Sequence, residues 1–156
     1  MYFSLTCNSH KPENLHLTLA FIGEVGYREF SLVRHIFLEQ PAFTEAFEAH
    51  HPTIGSFNSR NGKLIWAGID VDDCFRDYVR NMRQQLNRHG IPVDTKEWRP
   101  HITLSRRTRG LDLAQLKRDF SHTITDFEIK QLDLFQSEFT PHGMQYTSLE
   151  QIRSEL

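Results

Sequence analysis

Two short segments, His16-Leu17-Thr18-Leu19-Ala20 and His101-Ile102-Thr103-Leu104-Ser105, repeat one pattern. In an extended strand, residues two apart share a face. Each copy therefore sets an imidazole beside a hydroxyl while Leu17 and Leu19, or Ile102 and Leu104, face the other way into a core. Side by side, two such strands line a groove with two histidines and two threonines, and neither motif supplies a carboxylate or a thiol. Histidine, with an ordinary pKa of about 6.5, can serve near neutrality both as a base and, protonated, as an acid. The threonine hydroxyls can donate to non-bridging phosphate oxygens, where charge collects in a transition state. That inventory suits in-line opening of a cyclic phosphodiester: one histidine takes a proton from water, the other gives one to the leaving ribose oxygen, and no metal is needed. A single His-x-Thr is weak evidence. The repeat carries the reading, each copy being preceded by a proline-containing turn, Pro12 to Asn14 and Arg99-Pro100.

The elements that must hold these residues follow from periodicity. Leu15 to Ile22 alternates as a strand, with Leu15, Leu17, Leu19 and Phe21 on one face, and Gly23 ends it. Tyr27 to Glu39 predicts a helix with Phe30, Val33, Phe37 and Leu38 inward, closed by Pro41. Phe43 to Phe47 and Thr53 to Phe57 read as short strands separated at Pro52. Asn61-Gly62 is a hairpin turn ahead of a mostly buried strand, Lys63 to Val71. Asp72 to His89 is a helix with Phe75, Val79, Met82 and Leu86 inward. Trp98 to Ser105 is the second motif's strand, and Leu111 to Phe120 a helix with Leu113, Leu116 and Phe120 inward. Ile124 to Phe135 alternates as one strand with a bulge between Ile129 and Leu132. After Gly143 a last strand spans Met144 to Leu149. Strands, hairpins and a few helices in this order predict an α+β fold with antiparallel sheet.

Composition narrows the class. A chain of 156 residues, 38% hydrophobic and 24% charged, builds one domain with a real core. Its apolar runs are far shorter than the roughly 20 residues that cross a bilayer, and Met1 to His10 has no signal-peptide pattern, so a cytoplasmic, membrane-free protein is expected. Cys7 and Cys74 read as reduced thiols. A formal charge of −2 excludes coating nucleic acid through a global positive field, so RNA needs a local patch.

Pro12 to Gly23, with Arg99-Pro100-His101-Ile102-Thr103-Leu104-Ser105-Arg106, closely resembles the two signatures of the two-histidine phosphoesterase superfamily, specifically the bacterial RNA 2′,3′-cyclic phosphodiesterases also called 2′-5′ RNA ligases. The likeness extends to Leu64-Ile65-Trp66-Ala67-Gly68 and Leu134-Phe135-Gln136-Ser137-Glu138. It implies a bilobal α+β fold of two antiparallel sheets with pseudo-twofold symmetry, outer helices and an active-site cleft between the lobes. It implies hydrolysis of 2′,3′-cyclic ends on RNA or nucleotides to 2′-phosphates, with reversible 2′-5′ joining in some members. His16 and His101 become the catalytic acid and base, Thr18 and Thr103 the phosphate donors, and Arg106 a further phosphate-binding residue. No cofactor and no metal is implied. The odd offset of Arg106 from His101 would point it away from the cleft on a flat strand.

Relatives usually carry a strand and a helix ahead of the first motif, whereas Met1 to Thr6 supplies at most a short strand. The first lobe of this single domain, residues 1–156, is therefore expected to be incomplete, with an open edge that pairs with a second chain as a homodimer. A competing reading follows: a non-catalytic binder of RNA ends or nucleotides that has lost turnover through its short N-terminus. Lys96, Arg99, Arg106, Arg107 and Arg109 are a candidate RNA-end patch, with a solvated basic loop as the alternative. Phe57 and Trp98 read as core before they read as base-stacking residues. His10, His35, His50, His51, His89, His122 and His142 invite a metal site, but no H-E-x-x-H pattern is present, and the metallohydrolase reading is set aside. Nothing in the sequence chooses among tRNA fragments, other RNA ends, cyclic nucleotides and ADP-ribose cyclic phosphate.

Overall fold

The computed structural model describes residues 2–7, 15–43, 45–120 and 125–155, and the side chains of Phe3, Leu5, Thr6, Cys7 and His51 are not among those described. His10, the Pro12 to Asn14 turn and His122 fall outside these residues.

Alternating apolar and polar residues give eight strands: β1 (Tyr2–Cys7), β2 (Leu17–Glu24), β3 (Phe47–Ser59), β4 (Gly62–Val71), β5 (His101–Thr108), β6 (Phe127–Ile129), β7 (Gln131–Thr140) and β8 (Gly143–Arg153). Segments with apolar residues three and four apart give α1 (Tyr27–Leu38), α2 (Asp73–Arg88) and α3 (Leu113–Phe120). The strand order is β6-β3-β4-β5-β2-β1-β7-β8. Two antiparallel halves of four strands meet where β2 pairs with β5, and that junction is one residue pair, Leu17 with Ile102. The α+β bilobal architecture expected from the sequence is present, its two sheets joined edge to edge by that rung.

The helices cover one face. Val33, Ile36 and Phe37 of α1 and Phe75, Val79, Met82 and Leu86 of α2 share a core with Leu17 and Leu19 of β2, Ile69 and Val71 of β4, and Leu132 and Leu134 of β7. On the outer part of the β3–β4 hairpin, Leu113, Leu116 and Phe120 of α3 pack over Ile54, Ile65 and Ala67. Ile65, Ala67, Ile69 and Val71 alternate along β4, so α2 and α3 lie on the same side of that half. The opposite side carries the polar residues of both motifs.

Several sequence expectations are corrected. Tyr2–Cys7 is a central strand, paired with β2 on one side and β7 on the other. The open edge expected at the N-terminus is therefore filled, and the bare edges are β6 and β8. Of the segment expected as a strand at Phe43 to Phe47, only Phe47 is in a strand among the described residues; β3 starts there and is continuous through Pro52 because a register shift between His50 and Thr53 absorbs the residue that cannot donate to the ladder. Lys130 is no bulge in one strand: β6 pairs with β3, β7 pairs with β1 and β8, and the chain changes halves between them. In β2 the register jumps from Leu5↔Ala20 to Thr6↔Thr18, leaving Leu19 as an extra residue. Leu19 and Ala20 are both buried and Phe21, expected inward, is 62% exposed, because a one-residue bulge reverses the alternation beyond it. Leu38 is exposed and Ile36 takes its place in the core. β5 starts at His101, and Trp98 lies in the loop before it.

Candidate active site

Leu17 and Ile102 face the core from the rung that joins the halves. An antiparallel register continued one residue to either side of that rung would set His16 toward Thr103 and Thr18 toward His101, on the face opposite Leu17 and Ile102. The sequence, read strand by strand, does not reveal this crossing.

The ring orientations are set differently. His101 is exposed, and its Nδ1 lies 2.8 Å from the backbone carbonyl of Arg99. A carbonyl only accepts, so Nδ1 carries the proton and Nε2 is the nitrogen left for chemistry. The preceding residue is also pinned, Ile69 N–H donating to the Pro100 carbonyl at 3.1 Å. His16, just before β2, packs against two rings of its own half: Tyr146 of β8 at 4.8 Å between centroids and 57°, and Phe135 of β7 edge-on at 6.1 Å and 87°.

The first motif's backbone is tied down from the far side of the junction. Trp98 Nε1 donates to the Thr18 carbonyl at 3.0 Å, and Arg83 Nε of α2 donates to the Leu19 carbonyl at 2.6 Å. β2 and β5 share one rung, so these carbonyls have no strand partner on that side and take side-chain donors instead. Burial pulls the Arg83 guanidinium below its ordinary value, opposed by Asp94. Neither role is legible in the sequence. Trp98 also meets Phe75 edge-on at 5.6 Å, so the core reading of this residue holds along with its bond to the motif.

β5 carries a second bulge. Trp66 pairs with Thr103 but Ile65 pairs with Ser105, so Leu104 is extra and packs toward the α3 cluster. The odd offset of Arg106 from His101 assumed a regular strand, and β5 is not regular on either side of Ser105, its register moving from Ile65↔Ser105 to Lys63↔Thr108 past Arg106. Arg107, at φ 60, begins a second irregularity, where the register moves to Lys63↔Thr108. Of the basic patch, Arg106, Arg107 and Arg109 lie at the end of β5 and just beyond, while Lys96 and Arg99 lie in the loop before it.

Comparison with known proteins decides the family. The model of the 2′-5′ RNA ligase superfamily matches residues 4–148. The chain belongs to that superfamily. Within it, the chain is 29% identical over 148 residues to the RNA 2′,3′-cyclic phosphodiesterase of Methanothermobacter thermautotrophicus, covering 92% of this chain and 80% of the relative. It is 28% identical over 141 residues to the RNA 2′,3′-cyclic phosphodiesterase of Escherichia coli, covering 88% and 74%. Among solved structures, TT0787 of Thermus thermophilus superposes with a TM-score of 0.75 at 20% identity over the whole of both chains. E. coli LigT in its apo form gives 0.68 at 19% identity, covering 98% and 96%. These superpositions establish a shared fold for the superfamily member described here.

A group the sequence did not single out lies elsewhere on β3. Glu48, His50 and Asp72 offer ligand atoms within 4.8 Å of one another. His50 Nε2 is 3.2 Å from Glu48 and 3.7 Å from Asp72, and Nδ1 is 3.3 Å from Asp126. The hydrogen bond to Asp126, with the charges of Asp126, Glu48 and Asp72, raises the His50 pKa against desolvation. Cys74 is a free, exposed thiol. Among the described residues no helix is long and apolar enough to cross a membrane.

Proposed function

We propose that this chain hydrolyses 2′,3′-cyclic phosphodiesters at RNA ends or on nucleotides to 2′-phosphates, with His16 and His101 as the acid–base pair. The observation that carries this is the Leu17–Ile102 rung, which joins the two His-x-Thr strands side by side at the junction of the halves. Superfamily membership and the names of the relatives support it.

The chemistry balances on these side chains. A water oxygen attacks phosphorus opposite the ribose O3′, one histidine taking the water proton as the P–O3′ bond breaks. The other histidine, protonated, delivers its proton to O3′, leaving a 2′-phosphate and a 3′-hydroxyl. Thr18 and Thr103 donate to the non-bridging oxygens, and Arg106 supplies positive charge at the mouth of the cleft. If the 5′-hydroxyl of a second RNA takes the place of water, the same steps give a 2′-5′ phosphodiester, and their reversal cleaves it. The competing non-catalytic reading rests on the shortened N-terminus, where β1 supplies a six-residue strand between β2 and β7, and turnover separates the two readings.

The test is hydrolysis of a 2′,3′-cyclic nucleotide by the purified chain in excess EDTA, beside His16→Ala and His101→Ala, with the product isomer identified. A 2′-phosphate that disappears in both variants supports the proposal. Tight binding of a 2′-phosphate by a folded chain that shows no turnover would overturn it in favour of the binder.

A further inference from the structure

Between α2 and the loop that leads into β5 lies a cavity of about 390 Å³, a volume within the range of small-molecule sites, and none of His16, Thr18, His101 or Thr103 lines it. Arg76, Arg80 and Arg83 are spaced four and three along α2, so they share one face of the helix, beside the inward face of Phe75, Val79, Met82 and Leu86. With Lys96 from the loop they bring four cations to the cavity, against the carboxylates of Asp94 and Glu97. Like charges at these spacings repel, and the fold offsets only part of that cost. Arg80 pairs with Asp77, and Arg76 lies 3.9 Å from Asp70. Arg83 and Lys96 have no carboxylate within 4.0 Å among the described residues. Asp94 is the acid whose charge reaches Arg83, and its Oδ1 already accepts the Lys96 backbone N–H at 2.9 Å.

The loop wall is fastened to the helix along its length. Asn87 Nδ2 donates to the Val93 carbonyl at 3.3 Å while its Oδ1 accepts the Val93 N–H at 3.1 Å, and at the far end Arg76 Nη1 reaches the Trp98 carbonyl at 3.5 Å. Donors held in place this way lose little further freedom when a ligand arrives. Arg83 is partly buried, with Nε donating to the Leu19 carbonyl at 2.6 Å and Nη1 reaching only the Lys96 carbonyl at 3.5 Å, so most of its fork of donors is left for an acceptor. Exposed Gln84 and Thr95 add neutral donors to the lining. A guanidinium and an ammonium, with amide and hydroxyl donors beside them, match the oxygens of a phosphate. The cavity also touches the first motif from behind: Trp98 in its wall donates Nε1 to the Thr18 carbonyl, and Arg83 holds the next carbonyl along.

We propose that this cavity is an anion site separate from the cleft, in which a phosphate group, carried by a free small molecule or by the body of an RNA chain, bridges Arg83 and Lys96. Its occupancy is felt at the bond from Trp98 to Thr18. The site itself stands apart from the phosphodiesterase reading, and only its bearing on turnover rests on that reading.

The chain has two tryptophans, so a proton–nitrogen correlation spectrum carries two indole N–H signals, and Trp98→Phe assigns the one bonded to Thr18. Titration with inorganic phosphate, near neutral pH and at constant ionic strength, is expected to move the Trp98 signal along a saturating curve. Gln84→Glu sets a carboxylate in the cavity and Lys96→Met removes a cation; both side chains are exposed, so the fold is kept. Each is expected to weaken the response about tenfold or more, as for the loss of one charge-assisted bond, and Lys96→Arg is expected to retain it. A Trp98 signal that stays still in the wild-type chain overturns the site. So does one that moves equally in Gln84→Glu and Lys96→Met, since phosphate in the cleft would then be shifting it through Thr18. Binding of 2′-AMP and of a tetranucleotide ending in a 2′-phosphate separates the two carriers. If Gln84→Glu weakens the tetranucleotide alone, the RNA body supplies the phosphate; if it weakens neither, a free small molecule does. Weakening of 2′-AMP would place the effect in the cleft and overturn the site. None of these readouts requires turnover, so a chain that hydrolyses no cyclic phosphate yet shows the phosphate response keeps the anion site and loses the phosphodiesterase reading.

Discussion

The indole Nε1 of Trp98 donates a hydrogen bond to the carbonyl oxygen of Thr18, 3.0 Å away, so the loop that leads into the second motif holds the backbone of the first. Trp98→Phe keeps most of the ring packing against Phe75 and removes the donor. An unpaired, partly buried carbonyl costs about 1–3 kcal/mol. The variant is expected to melt several degrees lower and to lose more in kcat than in KM, as the first motif loosens against the second. Thermal denaturation and steady-state kinetics on a 2′,3′-cyclic nucleotide check both.

Removing either histidine deletes one proton transfer. His16→Ala and His101→Ala are each expected to lower kcat by about 10²–10⁴-fold while the fold is retained. The wild-type rate should trace a bell over pH 5–9, because one ring must be neutral and the other charged, and each variant should lose one limb. A variant profile that kept both limbs would count against the pair.

Arg106 and Arg107 are neighbours at the irregular end of β5, where Arg107 takes φ 60, and only Arg106 is proposed to meet the phosphate. Arg106→Met is expected to lower kcat/KM about tenfold, in line with losing one charge-assisted contact to phosphate. Arg107→Met should change it little. Equal effects would mean a diffuse charge contribution, and added salt would then erase both.

His50 links stability to pH. Its folded pKa is raised, chiefly by the hydrogen bond to Asp126, with Glu48 and Asp72 adding to it. A raised folded value means that the charged ring stabilises the fold fully below its unfolded value, about 6.5, and that this contribution is lost as pH rises through the folded value. The melting temperature of the wild-type chain relative to His50→Gln should therefore be highest below the ordinary histidine value of about 6.5 and shrink as pH rises above it. A difference that grew with pH would refute the assignment.

Asp133 is buried at 1% exposure, and both its oxygens accept from Gln131, with Ser148 and Gln151 also donating to Oδ1. All four bonds run between or within β7 and β8. Asp133→Ala is expected to cost about 2–4 kcal/mol by orphaning these donors. Chemical denaturation measures it, and a loss under about 1 kcal/mol would show that the donors find water instead.

The candidate site residues were legible because repetition and period two are local. His16, Thr18, His101 and Thr103 stand out from their spacing alone, and the inward face of α2, Phe75, Val79, Met82 and Leu86, came out as observed. The places where the sequence misled are those where a bulge or a long-range partner overrides alternation. Phe21 turned outward because Leu19 is an extra residue against β1, and Ile124 to Phe135 read as one strand although Lys130 separates β6 and β7, which pair in different halves. Met1 to Thr6 was expected to supply at most a short strand, and Tyr2–Cys7 is one of six residues, but its central place between β2 and β7 is a long-range outcome that local spacing does not show.

The sequence by itself singled out two imidazoles and two hydroxyls on two alternating strands, the set that suits a phosphate. Tertiary structure decided how those strands meet. The Leu17–Ile102 rung joins them side by side, and Trp98 and Arg83 hold the first motif from across the junction. Those outcomes depend on register between segments far apart in the chain, and register is fixed by which residues must be buried together once the whole sheet has formed.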